Sequence, residues 1–208
     1  MPRNQRQCPK VWFEGLNRMK RSKLEAAETR RRIVKTAAAE FRRNGINNTG
    51  LNDVMAAAGL THGGFYRHFA SKKELIAEAC AAAMDSAAEN TLPSRCPAVG
   101  KTGLEAILTE YLSKDHRDDL SGGCMLAGLG SELARSDERT RAAATSGIRK
   151  LVDGFARQYR RTNAETATQR ALVAVSAIIG ALTISRIVTD PKLSATVLRE
   201  TKKHLANM

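Results

Sequence analysis

A chain of 208 residues with 42% hydrophobic side chains can bury a full core, which excludes a disordered chain. Its formal charge of +13 asks for a polyanionic partner, nucleic acid or an anionic membrane surface. Residues 1–80 hold 16 Lys and Arg against 7 Asp and Glu, the remainder 18 against 14, so the partner is expected at the N-terminal third.

Residues 1–23 are basic and aperiodic, with Pro2, Pro9 and Gly15, and read as a mobile arm or as an extension preceding a second start at Met19. From about Leu24 the stripe Ile33, Ala37, Phe41 predicts a helix, with Gly45 as its C-cap. Leu51, Val54, Met55 and Ala58 follow the i, i+3, i+4, i+7 pattern of a second short helix, which Gly59 breaks. Thr61 is placed to cap a third, through about Phe69, with Phe65 and Phe69 facing inward. Ser71 to Glu74 is a capping box that opens a fourth helix, continuing to Ala88. A second capping box, Thr102 to Glu105, starts the next segment, and the glycines Gly122 and Gly123 precede a helix that restarts near Cys124. A long amphipathic helix is expected over 137–161, one capped by Thr162 to Glu165 follows, and Asp190–Pro191 opens the last, about 191–205. No strand pattern and no repeat interrupts this series, so the fold class is all-α. The domains are expected at 1–23, at 24–71 (the unit of short helices), and at 72–208 (a larger helical unit).

Four cysteines far apart (Cys8, Cys80, Cys96, Cys124) form no CxxC pair, and no apolar leader opens the chain, so neither a disulfide framework, nor secretion, nor a metal or cofactor site is expected. The uncharged stretch 171–185 is too short to cross a membrane, and the protein is expected to be cytoplasmic. The segment 114–119, KDHRDD, offers metal-ligand residue types without defined spacing and reads as a solvated loop. The outer face made by Arg30, Arg31, Arg32 and Lys35 reads as solvated or as flanking a polyanionic partner.

Two short helices joined by a glycine turn and braced by a longer one describe a helix-turn-helix. Gly63 and Gly64 thin the outer face of its second helix for a DNA groove, at a propensity cost of roughly 1 kcal/mol each, while Phe65 and Phe69 pin the inner face. Tyr66, Arg67, His68 and Lys72 stand around them with groups suited to phosphate. The stretch IVKTAAAEFRRNGINNTGLNDVMAAAGLTHGGFYRHFASKKEL strongly resembles the DNA-binding domain of the TetR/AcrR family of bacterial transcriptional repressors. It departs from that pattern at Gly50, Met55 and Gly64, where hydroxyls or alanine are usual. The resemblance implies base contacts from Asn52 and His62, a backbone lying against the groove at Gly63 and Gly64, and phosphate contacts from Tyr66, His68 and Lys72. It also implies Thr49 as a cap and phosphate ligand, and either role for Arg67. It further implies a homodimer on a palindromic double-stranded operator and a C-terminal domain whose small-molecule effector releases DNA.

The helix over 171–187 is apolar nearly all round, which requires burial on several sides. Its small residues Ala174, Ala177, Gly180 and Ala181, with Ile178 and Ile184, suit the dimer bundle that the resemblance implies. The same resemblance sets the effector among the middle helices, where Met84, Tyr111, Met125, Phe155 and Tyr159 are candidate liners. Cys124, behind two glycines at a helix start, is a candidate redox or electrophile site, because a helix N-terminus favours thiolate. No ExxH pair, P-loop, GxGxxG or nucleophile elbow is present, and no enzyme is expected.

Overall fold

The stripe Ile33, Ala37, Phe41 turns out to be fully buried and fixes which side of the first helix meets the rest of the chain. In the computed structural model, which describes residues 10–91, 103–159 and 162–208, that helix, α1, runs Lys10–Asn44. It therefore begins upstream of the expected Leu24, and residues 10–23, read from sequence as part of an arm, belong to it. Gly45 ends it at φ +86°, its amide donating to Phe41 O at 2.8 Å. That left-handed conformation costs glycine nothing and strains a residue with a Cβ.

There follow α2 (Leu51–Ala57), a 3₁₀ helix (His62–Arg67), α3 (Lys72–Thr91), α4 (Gly103–Tyr111), α5 (Lys114–Asp118), α6 (Met125–Ala134), α7 (Glu138–Ala156), α8 (Ala164–Ile187) and α9 (Pro191–Ala206). Among the described residues there is no strand, and the all-α reading stands. Phe41, Val54, Met55, Phe65 and Phe69 join α1, α2 and the 3₁₀ helix into a head. The long α3 leaves that head and packs chiefly against α7, which packs on α8, and α8 on α9. One apolar cluster runs through both parts.

The helix starts follow from side chains. Ser71 Oγ accepts the Glu74 amide at 3.2 Å, and the Glu74 carboxylate takes the Ala70 amide at 2.7 Å. Asp137 caps α7 through the Thr140 amide, 2.9 Å, and Asp190 caps α9 through the Lys192 amide, 2.8 Å, with Pro191 in its first turn. The α8 cap is Asn163, which accepts from Thr166 N at 2.8 Å, one position beyond the expected Thr162. The α7 helix stops at Ala156 instead of reaching residue 161. KDHRDD is largely helical, not a loop, because Ser113 accepts the His116 amide at 3.0 Å and nucleates one turn. The Thr102 half of the second capping box, like Cys8 and Cys96, lies outside the described residues.

Two sequence expectations about α8 need correction. Its 24 residues are long and apolar enough to cross a membrane, where the stretch 171–185 alone looked too short. The folded chain instead uses α8 as a core helix, with Ala171 and Leu182 fully buried against its neighbours. Of the six residues assigned to a dimer face, Ala174, Ile178 and Ala181 are buried in the chain's own core, because they share the side that meets α7 and α9. The face left open carries Val173, Ala177, Gly180, Ile184 and Ile187 at helical spacing; Val173, Ile184 and Ile187 are 50–71% exposed.

Candidate nucleic-acid interface

Phe65 and Phe69 are stacked at 5.5 Å between ring centroids and buried, so the 3₁₀ helix is anchored by its inner face alone. Arg30 lies over Phe69, 4.1 Å from the ring centroid, and donates to Glu74 at 3.0 Å and to Glu78 at 3.1 Å. These carboxylates raise the Arg30 pKa, Glu78 most, against the opposing effect of burial. Arg30 is thus a brace between α1, the 3₁₀ helix and α3, not part of a solvated face. Its position three residues before Ile33, facing a Glu74/Glu78 pair at i, i+4, was the signal the sequence offered.

The outer face is open. His62 and Tyr66 stand together on it, rings 6.1 Å apart edge to face, and Tyr66 is 65% exposed. Asn52 at the start of α2, Thr61 and Arg67 are exposed beside them, and His68 is half-buried. Nothing lies within 4 Å of where a Cβ at Gly63 would sit, so the backbone there is bare toward solvent. Gly64 instead turns toward Met55, whose Cε would be 3.8 Å from a Cβ, so its place is against α2 rather than on the groove-facing side. Thr61 holds the N-cap position, but its side chain accepts no capping bond.

The expectation for Thr49 changes. Thr49 is buried, its hydroxyl donating to Gly45 O at 2.6 Å, and Gly50 holds the cap position of α2, its amide bonded to Asp53 at 2.9 Å. Thr49 therefore locks the turn between α1 and α2 and is not available to phosphate. Lys72, half-buried, spends one ammonium hydrogen on Ile46 O at 3.0 Å, which holds the head of α3 to the same turn.

The candidates for an effector site all lie within the apolar core. Met84, Tyr111, Met125, Phe155 and Tyr159 are all at least nine-tenths buried. Gly147 sits so close to Met84 that a Cβ would overlap its side chain, which marks tight packing there. Burial pushes the Tyr111 phenol well above its ordinary pKa, and the hydrogen-bonded Cys124 adds to the shift. Cys124 itself is the N-cap of α6, its Sγ accepting Ala127 N at 3.4 Å, and it is buried. His116 packs its ring on Tyr111 at 4.6 Å, and its Nε2 is buried with no partner among the described residues, as is the Tyr159 hydroxyl. Burial, then the Arg186 guanidinium, lowers the His116 pKa.

Sequence reasoning missed the seam between head and body. Arg42 Nε donates to Ser121 O, and Arg43 donates to Ser121 Oγ at 2.9 and 3.1 Å. Asp119 braces this loop by accepting the amides of Ser121 and Gly122 at 3.1 and 2.7 Å. From the other end of α6, the Glu132 carboxylate accepts the amides of Ile46 and Asn47 at 2.9 and 3.1 Å. Nothing in the local pattern pairs residues so far apart along the chain.

An all-α chain with a short reading helix held out from a braced head, and a larger helical body behind it, defines a helix-turn-helix DNA-binding protein. Residues 33–79 match the model of the bacterial regulatory proteins of the tetR family. A probable acrEF/envCD operon repressor of Escherichia coli is 44% identical over 59 residues, 28% of this chain and 27% of that protein. The HTH-type transcriptional regulator TtgR of Pseudomonas putida is 41% identical over 58 residues, 28% of each chain. The chain thus aligns with little more than a quarter of these curated relatives. A TetR transcriptional regulator from Chloroflexus aurantiacus shares the fold at TM-score 0.71, with 28% identity over 88% of this chain and 94% of that one. The reduced form of E. coli NemR does so at TM-score 0.70 and 19% identity, covering 87% and 96%. The head thus matches the tetR family model, and the whole chain shares the fold of TetR regulators.

Proposed function

We propose that the protein is a transcriptional repressor that holds a palindromic operator as a homodimer and lets go when its helical body is perturbed. The observation that carries this reading is the outer face of the 3₁₀ helix, where His62 and Tyr66 flank the bare backbone of Gly63. A helix presented in this way enters a major groove, with side-chain tips reaching base edges and phosphates. The assignments kept are Asn52 and His62 for bases, Tyr66, His68 and Lys72 for phosphate, and Arg67 for either. Selection of binding sites from random duplex DNA tests it: the expected product is an inverted repeat, and the absence of any enriched sequence would refute the reading.

Two ways of perturbing the body are supported by different features. A small molecule would displace side chains around Tyr111, where the buried His116 Nε2 has no partner among the described residues, or around Tyr159, whose hydroxyl is buried without one too. A reaction at the Cys124 thiol would destroy the cap of α6 three residues from Ser121, the residue that Arg42 and Arg43 grip. Operator binding after mild oxidant or N-ethylmaleimide, in wild type and in Cys124→Ser, separates them. Release of the wild type alone supports the thiol route. Equal retention by both proteins leaves the ligand route.

A further inference from the structure

The head is joined to the body covalently through α3 alone, which passes from Lys72 at the head into its packing with α7. Arg30 and the Lys72 bond to Ile46 O tie the head to the first turns of that helix. A second attachment joins the head directly to the body, and it is built on α6 and the loop that leads into it. At the N-terminal end of α6 the loop 119–123 holds Arg42 and Arg43 through Ser121. At its C-terminal end Glu132 holds the amides of Ile46 and Asn47. A carboxylate accepting two N–H groups makes charge-assisted bonds, roughly twice as strong as neutral ones. Gly45 makes room for it: a Cβ there would lie 3.3 Å from Glu132 Oε2.

The far side of α6 is tied as well. Thr183 on α8 donates to Ala127 O at 3.1 Å, and Arg186 on α8 donates to Arg117 O at 2.8 Å and His116 O at 3.2 Å, fixing the segment that leads into the loop. An unbroken set of bonds therefore runs from α8, whose outer face is apolar and open, through α6 to the turn that precedes α2.

We infer that Glu132, seconded by Ser121, determines which separation of operator half-sites the protein accepts. The inference rests on the reading of the protein as a dimer on an inverted repeat. In such a dimer the bundle fixes the two bodies, and the head-to-body angle fixes the distance between the two reading helices. One base-pair step is about 3.4 Å, so a head displaced by a few ångströms meets the wrong step. Glu132 acts through backbone amides, so it leaves the base-reading side chains of the head untouched. It is a positioning residue: base preference and spacing preference are separable, and only the second belongs to it.

The test measures affinity for a selected operator and for versions with one or two base pairs inserted or removed between half-sites, in wild type, Glu132→Ala, Glu132→Gln and Ser121→Ala. The expected result is a wild type that binds one spacing at least tenfold better than its neighbours. The Glu132→Ala ratio should fall toward one, Glu132→Gln and Ser121→Ala should be intermediate, and base preference within a half-site should be unchanged in all. A variant that merely lost folded protein would bind less at every spacing with the ratio intact, and that outcome overturns the inference, as does a wild-type ratio in Glu132→Ala. Glu132→Gln and Ser121→Ala keep the question answerable if the alanine at 132 does not fold. A wild type without any spacing preference fails at the earlier step, the dimeric reading itself, and takes the inference with it.

Discussion

At the scale of residues, exposure decides what each side chain of the head can do. Tyr66 and His62 are free to reach out, whereas Thr49 and Phe65 are not. Tyr66→Phe should weaken binding to all sequences alike, since it removes a hydroxyl suited to phosphate. His62→Ala should relax preference at one or two base positions by roughly 1–3 kcal/mol. Fluorescence anisotropy against an operator and its single-base variants reads both, and an unchanged preference in His62→Ala would reject the base contact. Titratable groups add a second expectation. Burial pushes the Cys80 thiol up to about 11 from 9.0, so the folded chain keeps it protonated where the unfolded chain ionises it. Its contribution to stability is whole below pH 9.0 and lost as pH rises toward 11. With Cys8 and Cys96 replaced by serine, Cys80 should resist iodoacetamide at mildly alkaline pH until denaturant is added. Labelling of Cys80 in the native state, mapped by mass spectrometry, would contradict this. His116 works in the opposite direction: its lowered pKa makes the folded state lose stability as pH falls below the ordinary 6.5, and His116→Gln should flatten that acid limb of Tm against pH.

At the scale of elements, the head is a small assembly whose stability rests on few side chains. Phe65 is fully buried in a six-residue 3₁₀ helix that has no other apolar anchor of its size besides the adjacent Phe69. Phe65→Ala should cost about 3–5 kcal/mol, as large-to-small core changes of this kind do. Circular dichroism would register it as loss of the head before loss of the body, because the 3₁₀ helix packs chiefly on α2, whereas α7 packs on α3 and α8, and α8 on α9. This local order was legible in the sequence: periodicity gave the stripe of α1, and Ser71, Asp137 and Asp190 announced helix starts that the structure keeps. The reading helix was legible as an element, though its 3₁₀ form was not, since a segment as short as His62 to Arg67 can take either form. What stayed hidden were relations at long range. Arg30 looked like one of three exposed arginines until Phe69 and Glu78 were placed beside it, and no periodicity links Glu132 to the Ile46 amide. The dimer stripe was misassigned by half for a related reason. An all-round apolar helix shows that several faces are covered without saying which face its own chain covers.

At the scale of the whole molecule, the open face of α8 is the surface through which the proposed dimer would bring two reading helices to the DNA. Val173, Ile184 and Ile187 are half or more exposed, and with Ala177 and Gly180 they form a continuous apolar stripe on a helix otherwise packed into the core. Exposed apolar stripes of this extent mark association surfaces, and a two-fold axis would let the same stripe serve both partners. A half-site alone offers only a few base contacts, so specific affinity depends on pairing two heads on one rigid body. Gly180 is the place to test this, because nothing lies within 4 Å of a Cβ built there and a longer side chain fits the free monomer without displacing its core. Gly180→Glu should therefore keep the thermal stability of the monomer fold while setting two carboxylates against each other across the axis. Multi-angle light scattering should then report a mass near 22.6 kDa in place of twice that value. Specific operator binding should fall by about a hundredfold or more, with the weaker, salt-sensitive attraction of the basic head to any duplex left in place. A Gly180→Glu protein that remains dimeric, or a monomer that still binds the full operator tightly, would move the interface off this stripe.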